Sequence, residues 1–126
     1  LGFELPTLVD PRAAVAASAE LGSGAQVFSG AQICPAASIG AGTIVNTAAV
    51  VSHDCAVGSH VHLAPGCLLA GHVVVGDGTL VGMGVTTRVG LRIGAGAIVG
   101  NAAVLLEDVP DGTIVPAGSV WPRPER

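Results

Sequence analysis

The chain of 126 residues contains no lysine and no tyrosine. Its five basic residues are all arginine, and the net charge is −4. So little positive charge excludes the phosphate-neutralising footprint of a nucleic-acid-binding protein. Phe3, Phe28 and Trp121 are the only aromatic residues, although half of the chain is hydrophobic. A core of Val, Ile, Leu and Ala fits a thin interior better than a wide globule. No apolar run approaches the ~18 residues that span a bilayer, and no leader-like segment is visible, so no membrane insertion is expected. The chain begins at Leu1 rather than Met, as a trimmed piece would. Three cysteines, Cys34, Cys55 and Cys67, form no C-x-x-C pair. Their odd number points to neither a disulfide framework nor a zinc knuckle. The mean hydropathy of +0.69 is high for a monomer and predicts outward apolar surface covered by other subunits.

What is present is a repeat. From Val9, an aliphatic residue returns every sixth position through Val15, Leu21, Val27, Ile33, Ile39, Val45, Val51, Val57, Leu63, Leu69, Val75 and Val81, and onward to Leu105. Thr87 is the one exception. A period of six is neither helical nor that of a plain strand. It predicts an all-β solenoid of short parallel strands, about six coils, in a single domain. Four residues after each aliphatic position comes a mostly small one, such as Ala31, Ala37, Thr43, Ala49, Cys55 or Cys67. Strand alternation turns both positions inward, so Cys55 and Cys67 read as core fillers. Gly22, Gly40, Gly58, Gly76, Gly94 and Gly100 directly follow the aliphatic residue, where a tight corner with positive φ is expected.

Three units close a coil of 18 residues, so residues 18 apart stack. The β-helix is expected over 9–115, after a linker remnant at 1–8 and before a C-terminal tail at 116–126. Pro110, Asp111 and Gly112 interrupt the pattern, and Thr113 to Val115 reads as a last strand. The Ala-rich stretch from Arg12 to Glu20 has helical propensity, but the period of six runs through it in phase.

Polar chemistry concentrates between Asn46 and His72, which holds all four histidines: His53, His60, His62 and His72. The 18-residue rule stacks Gly71 on His53 and His72 on Asp54. His62 precedes the inward Leu63 and is expected to face outward. A carbonic-anhydrase-like metal site needs three converging histidines with an H-x4-H pair. The spacings here are seven, two and ten, so no such pair exists and no metal is expected.

Asn46-Thr47, His53-Asp54-Cys55, Val57-Gly58, His62 and Ala70-Gly71 together carry a family likeness. The stretch resembles the hexapeptide-repeat sugar acetyltransferases of the sialic acid O-acetyltransferase type. Their relatives N-acetylate UDP-4-amino-sugars in bacillosamine and perosamine pathways. The resemblance spans roughly residues 3–112. It implies a left-handed parallel β-helix, a handedness that a period of six does not itself give.

It also implies acetyl-CoA as co-substrate, a cytoplasmic enzyme, and a homotrimer with active sites between subunits. The acceptor would be an amino or hydroxyl group of a sugar or nucleotide-sugar. By the same resemblance His53 is the general base, Asp54 raises its basicity, and the Gly71 N–H stabilises the oxyanion. His62 would contact the thioester end of acetyl-CoA, Met83 and Asn101 would line the coenzyme groove, and Asn46 would hold the sugar. His60 and His72 match no family position and read as surface or interface residues. Arg88 and Arg92 read as a solvated face, with contact to CoA phosphates the second reading. Family members carry an N-terminal α/β subdomain that binds the nucleotide. Gly2-Phe3-Glu4-Leu5 matches the linker after it, so that module is either trimmed away or naturally absent. A non-catalytic scaffold trimer is the alternative from a different functional class.

Overall fold

The computed structural model describes residues 5–124. Residues 1–4 of the expected linker and 125–126 of the expected tail lie outside them. The described chain winds into nineteen strands of two residues each, with no helix. The Ala-rich stretch is no exception: Ala14–Val15 and Glu20–Leu21 are strands. Every strand pairs in parallel with those one coil away. Two sheets of seven strands and one of five form three faces of a prism, a left-handed β-helix of about six turns.

The register is the repeat made physical. His62 pairs with Ile44 and Leu80, and Leu63 with Val45 and Val81, each a step of 18. The second residue of each strand points in and the first points out, as the alternation of Cβ directions requires. Columns of Val, Ile and Leu therefore line the interior, with Ala, Cys and Thr between them. Each buried aliphatic contributes about 1.5–3 kcal/mol relative to exposure. The core is sealed from Ala25 to Val115, and the first coil, with Val15 and Leu21 half-buried, is its open end. The first face comprises Leu8–Val9, Gln26–Val27, Ile44–Val45, His62–Leu63, Leu80–Val81, Ile98–Val99 and Ile114–Val115. The second runs from Ala14–Val15 through Val50–Val51, Leu68–Leu69 and Thr86–Thr87 to Val120–Trp121. The third runs from Glu20–Leu21 through Ala56–Val57 and Val74–Val75 to Arg92–Ile93.

Three expectations need correction. Positive φ falls three residues after the aliphatic position, at Gly24, Gly30, Asp54, His60, His72 and their equivalents, not directly after it. The glycines directly after it serve close packing of coils. A Cβ on Gly40 would lie 2.4 Å from the backbone of Gly58, and one on Gly76 2.4 Å from that of Ala95. The repeat also breaks earlier than Pro110. Val109 bridges to Ile93, and Ile114 pairs with Ile98, so the last coil steps by 16 rather than 18. The shortened turn is closed by Asp108, whose side chain accepts the Arg92 N–H at 2.8 Å. Finally, the expected tail contains a further strand. Val120–Trp121 pairs with Val104–Leu105, and Trp121 packs against the core while its indole N–H donates to the Asp108 carbonyl at 3.0 Å.

Candidate active site

The turns from the second face to the third form one edge of the prism, and His53, Asp54, Gly71 and His72 all lie on it. The two coils are tied there by the His72 N–H donating to the His53 carbonyl at 3.0 Å. His53 Nδ1 lies 2.9 Å from Asp54 Oδ2. A carboxylate only accepts, so Nδ1 carries the proton, which in the neutral imidazole leaves the lone pair on Nε2. That Nε2 end lies over Gly71: a Cβ there would be 2.6 Å from Nε2 and 2.7 Å from Cε1. Only a glycine leaves room for the ring.

The peptide between Ala70 and Gly71 is held from both sides. The buried Cys55 thiol donates to the Ala70 carbonyl at 3.1 Å. The C=O and N–H of a trans peptide point in opposite directions. With the Ala70 oxygen turned inward, the Gly71 N–H turns outward, and it donates to nothing among the described residues. At three equivalent positions the N–H is capped from the next coil, Ser59 by Asp77, Met83 by Asn101 and Ala95 by Asp111, whereas those of Ala41, His53 and Asp77, like that of Gly71, donate to nothing among the described residues. Above Gly71 the equivalent residue is Val89, which has no acceptor in its side chain. Thr87 completes the arrangement. The Ala70 N–H donates to Thr87 Oγ1 at 3.0 Å instead of to a strand carbonyl, and only Leu68 and Thr86 remain paired at that rung.

Two residues in this neighbourhood were placed by the sequence reading but given no part in the site. Thr87 carries a visible signal, being the sole break in the aliphatic ladder, one coil beyond Gly71. His72 has its signal in the 18-residue step from Asp54: its Nε2 lies 3.7 Å from Asp54 Oδ2, and its ring meets that of His53 edge-on at 5.1 Å. His60 lies on a different edge, against Gly42. Burial pushes the Cys55 thiol up and the Cys67 thiol up to about 12, so neither is a nucleophile near neutral pH.

The remaining expected site residues gather elsewhere. Asn46, Met83 and Asn101 lie on turns from the first face to the second, with His62 on the first face beside them. The Asn46 side-chain amide lies 3.2 Å from His62 Nε2, while its oxygen accepts the Thr47 N–H at 2.8 Å. Met83 is exposed, and its N–H donates to Asn101 Oδ1 at 2.9 Å. One chain therefore brings the expected residues together as two clusters on two edges, separated by the second face. Along the His53 edge, a hollow of about 440 Å³ follows Gly71, lined by Arg88, Val89, Leu91, Leu106 and Glu107 among others. Another of about 480 Å³ precedes His53, lined by Ala14, Ala16, Gln32, Cys34 and Pro35 among others. Arg92 reaches Asp111 at 3.8 Å, whereas Arg88 approaches only the Leu106 carbonyl.

Solved structures share this fold and much of this sequence. The acetyltransferase domain of PglB from Neisseria gonorrhoeae in complex with acetyl coenzyme A is 38% identical, with a TM-score of 0.91 over 94% of this chain and 58% of its own. PerB from Caulobacter crescentus, in complex with CoA and GDP-perosamine, is 41% identical, with a TM-score of 0.90 over 91% of this chain and 56% of its own. This chain belongs to the hexapeptide-repeat sugar acetyltransferase family. A third member, a histidine-to-alanine form of GDP-perosamine N-acetyl transferase from the same bacterium, is 40% identical, with a TM-score of 0.90 over 91% of this chain and 55% of its own. The chain thus spans a little over half the length of these acetyltransferases. No protein-family model and no curated protein matches it.

Proposed function

We propose that the chain is the catalytic β-helix of an acetyl-CoA-dependent acetyltransferase whose acceptor is an amino group of a nucleotide-linked sugar. The observation that carries this reading is the His53 imidazole, bonded to Asp54 at Nδ1 and lying with Nε2 against Gly71. The complexes of PerB with CoA and GDP-perosamine support the choice of donor and acceptor class. In the reaction the acceptor nitrogen attacks the thioester carbonyl while His53 Nε2 takes its proton. The carbonyl oxygen becomes an oxyanion facing the Gly71 N–H, a donor worth about 3 kcal/mol in such a role. Asp54 stabilises the imidazolium. As the C–S bond breaks, CoA leaves as a thiolate and recovers the proton from His53. An amine is favoured over a hydroxyl by the named N-acetyltransferase relatives.

The second cluster fits a homotrimer. Asn46 and His62 sit too far around the prism to join His53 of the same chain, and the outer surfaces suit a ring. The first face exposes Leu8, Leu80, Ile98 and Ile114, and the second exposes Leu68, Val104 and Val120. The third presents Glu20, Ser38 and Arg92 beside the small Ala56, with Val74 its one large apolar residue. Three copies that bury these apolar surfaces against one another close a ring. Such a ring carries the Asn46–His62 edge of one copy to the His53 edge of the next, with Met83 and Asn101 along the coenzyme groove. Acetyl-CoA as donor and three unpaired thiols fit a cytoplasmic enzyme. No helix among the described residues is long and apolar enough to cross a membrane.

Incubating the chain with acetyl-CoA and a panel of 4-amino nucleotide-sugars, free amino-sugars and their hydroxyl counterparts tests the proposal. Release of CoA with an amino-sugar is the expected result. No CoA release with any acceptor, together with no binding of acetyl-CoA by calorimetry, would leave the scaffold reading in its place.

A further inference from the structure

His72 has no part in the chemistry above, yet it completes a cluster of a different kind. His53, Asp54 and His72 can each offer one ligand atom, and these atoms all lie within 4.8 Å of one another. Oδ2 is 2.9 Å from His53 Nδ1 and 3.7 Å from His72 Nε2. Ligands about 2.0–2.1 Å from a tetrahedral zinc ion stand roughly 3.3 Å apart, so small side-chain rotations would suffice. The backbone beneath them is rigid. Asp54 and His72 occupy the same left-handed turn position of successive coils, at φ 60° each, and the coils are hydrogen-bonded at that point. Two imidazoles and one carboxylate suit Zn²⁺, Ni²⁺ or Cu²⁺, and not Mg²⁺ or Ca²⁺, which take oxygen ligands.

We propose that His53, Asp54 and His72 form an inhibitory site for a borderline divalent cation such as Zn²⁺. This inference rests on the reading of His53 as the base. The metal would take the place of the proton between His53 Nδ1 and Asp54, and that proton would move, by exchange through solvent, to Nε2. A neutral imidazole metallated at Nδ1 carries its one proton on Nε2. The lone pair that faces Gly71 is then gone, and the base is disabled without being displaced. Such a device makes acetyl transfer sensitive to free zinc, with His72 as the residue that confers the sensitivity.

Equilibrium dialysis of the chain against zinc chloride, with Cys34→Ser as the background to remove an accessible thiol, tests the site apart from catalysis. One Zn²⁺ per chain is expected. His72→Asn should weaken binding at least about tenfold, because one of three ligands is lost; asparagine tolerates the left-handed turn. Asp54→Asn should weaken it similarly. Zinc binding unchanged in both variants would overturn the site. In the acetyl-transfer assay, zinc should inhibit the chain and require at least about tenfold more metal to inhibit His72→Asn. Inhibition equal in the two proteins would overturn the link to His53. An absence of acetyl transfer altogether would refute the enzymatic reading, with the dialysis still deciding the metal site.

Discussion

Replacing Gly71 by alanine separates catalytic geometry from folding. Gly71 is not in the left-handed region, so its backbone accepts a side chain. The new Cβ would meet His53 Nε2 at 2.6 Å and Cε1 at 2.7 Å. Ordinary contacts of this kind are about 3.5–4.0 Å, so the ring must retreat by about 1 Å. The ring is an exposed side chain and can do so at little cost, which keeps the change in stability to about 1 kcal/mol or less. Catalysis has no such freedom. A misplacement of about 1 Å in a reacting group costs on the order of 100-fold in rate. Gly71→Ala should therefore lower kcat about 100-fold with acetyl-CoA and an amino-sugar acceptor, and leave the melting temperature within a few degrees of wild type. Gly40→Ala provides the contrast. There the obstruction is the backbone of Gly58 at 2.4 Å, and overpacking against backbone should cost about 1–3 kcal/mol of stability. Turnover of Gly71→Ala within threefold of wild type would refute the placement of His53 against Gly71.

Three further outcomes follow from the same geometry. Thr87→Val completes the aliphatic ladder but removes the hydroxyl that accepts the Ala70 N–H; it should lower kcat several-fold with KM little changed, and unchanged kcat would refute the role of Thr87 in holding the Gly71 peptide. Two inactive variants, His53→Ala and His62→Ala, assembled together at equal amounts, should regain activity at about one quarter of sites if, as proposed, each site of a three-membered ring pairs one copy's His53 edge with its neighbour's His62 edge; no recovery in mixed assemblies would contradict shared sites. Alkaline pH should unfold the chain through its buried thiols. The Cys67 thiol has an ordinary value of 9.0 and is pushed up to about 12 by burial, so folding favours its protonated form. Its contribution is intact below pH 9 and is lost as the pH rises toward 12, at up to about 1.4 kcal/mol per pH unit. With no lysine or tyrosine in the chain, thiols are the only side chains titrating in that range. Denaturant titrations from pH 8 to 10.5 should show this slope, and a slope unaltered in Cys67→Ala would exclude Cys67 as its source.

The period of six carried the fold because each aliphatic residue has one inward address, and 18-residue stacking then put Gly71 on His53 and His72 on Asp54. The corner glycines were misassigned because sequence shows that a side chain is excluded but not why. At Gly40 the reason is the next coil's backbone, whereas positive φ falls two residues later, at Gly42. The shortened last coil escaped notice because Val109 occupies an inward position under either register. Thr87 was legible as an anomaly but not as a partner of Ala70, since a hydroxyl replacing a carbonyl leaves no periodic trace. The separation of the expected residues onto two edges was also implicit in the addresses. Asn46 follows a strand of the first face and His53 one of the second, so their places on different edges could be read from the repeat.

The most direct test of acetyl transfer at this edge is the turnover of His53→Ala measured beside its affinity for CoA. Loss of a positioned general base costs typically 100- to 10,000-fold, so kcat should fall at least about 100-fold while the Kd for CoA stays near that of wild type. Turnover that survives the substitution would contradict the account.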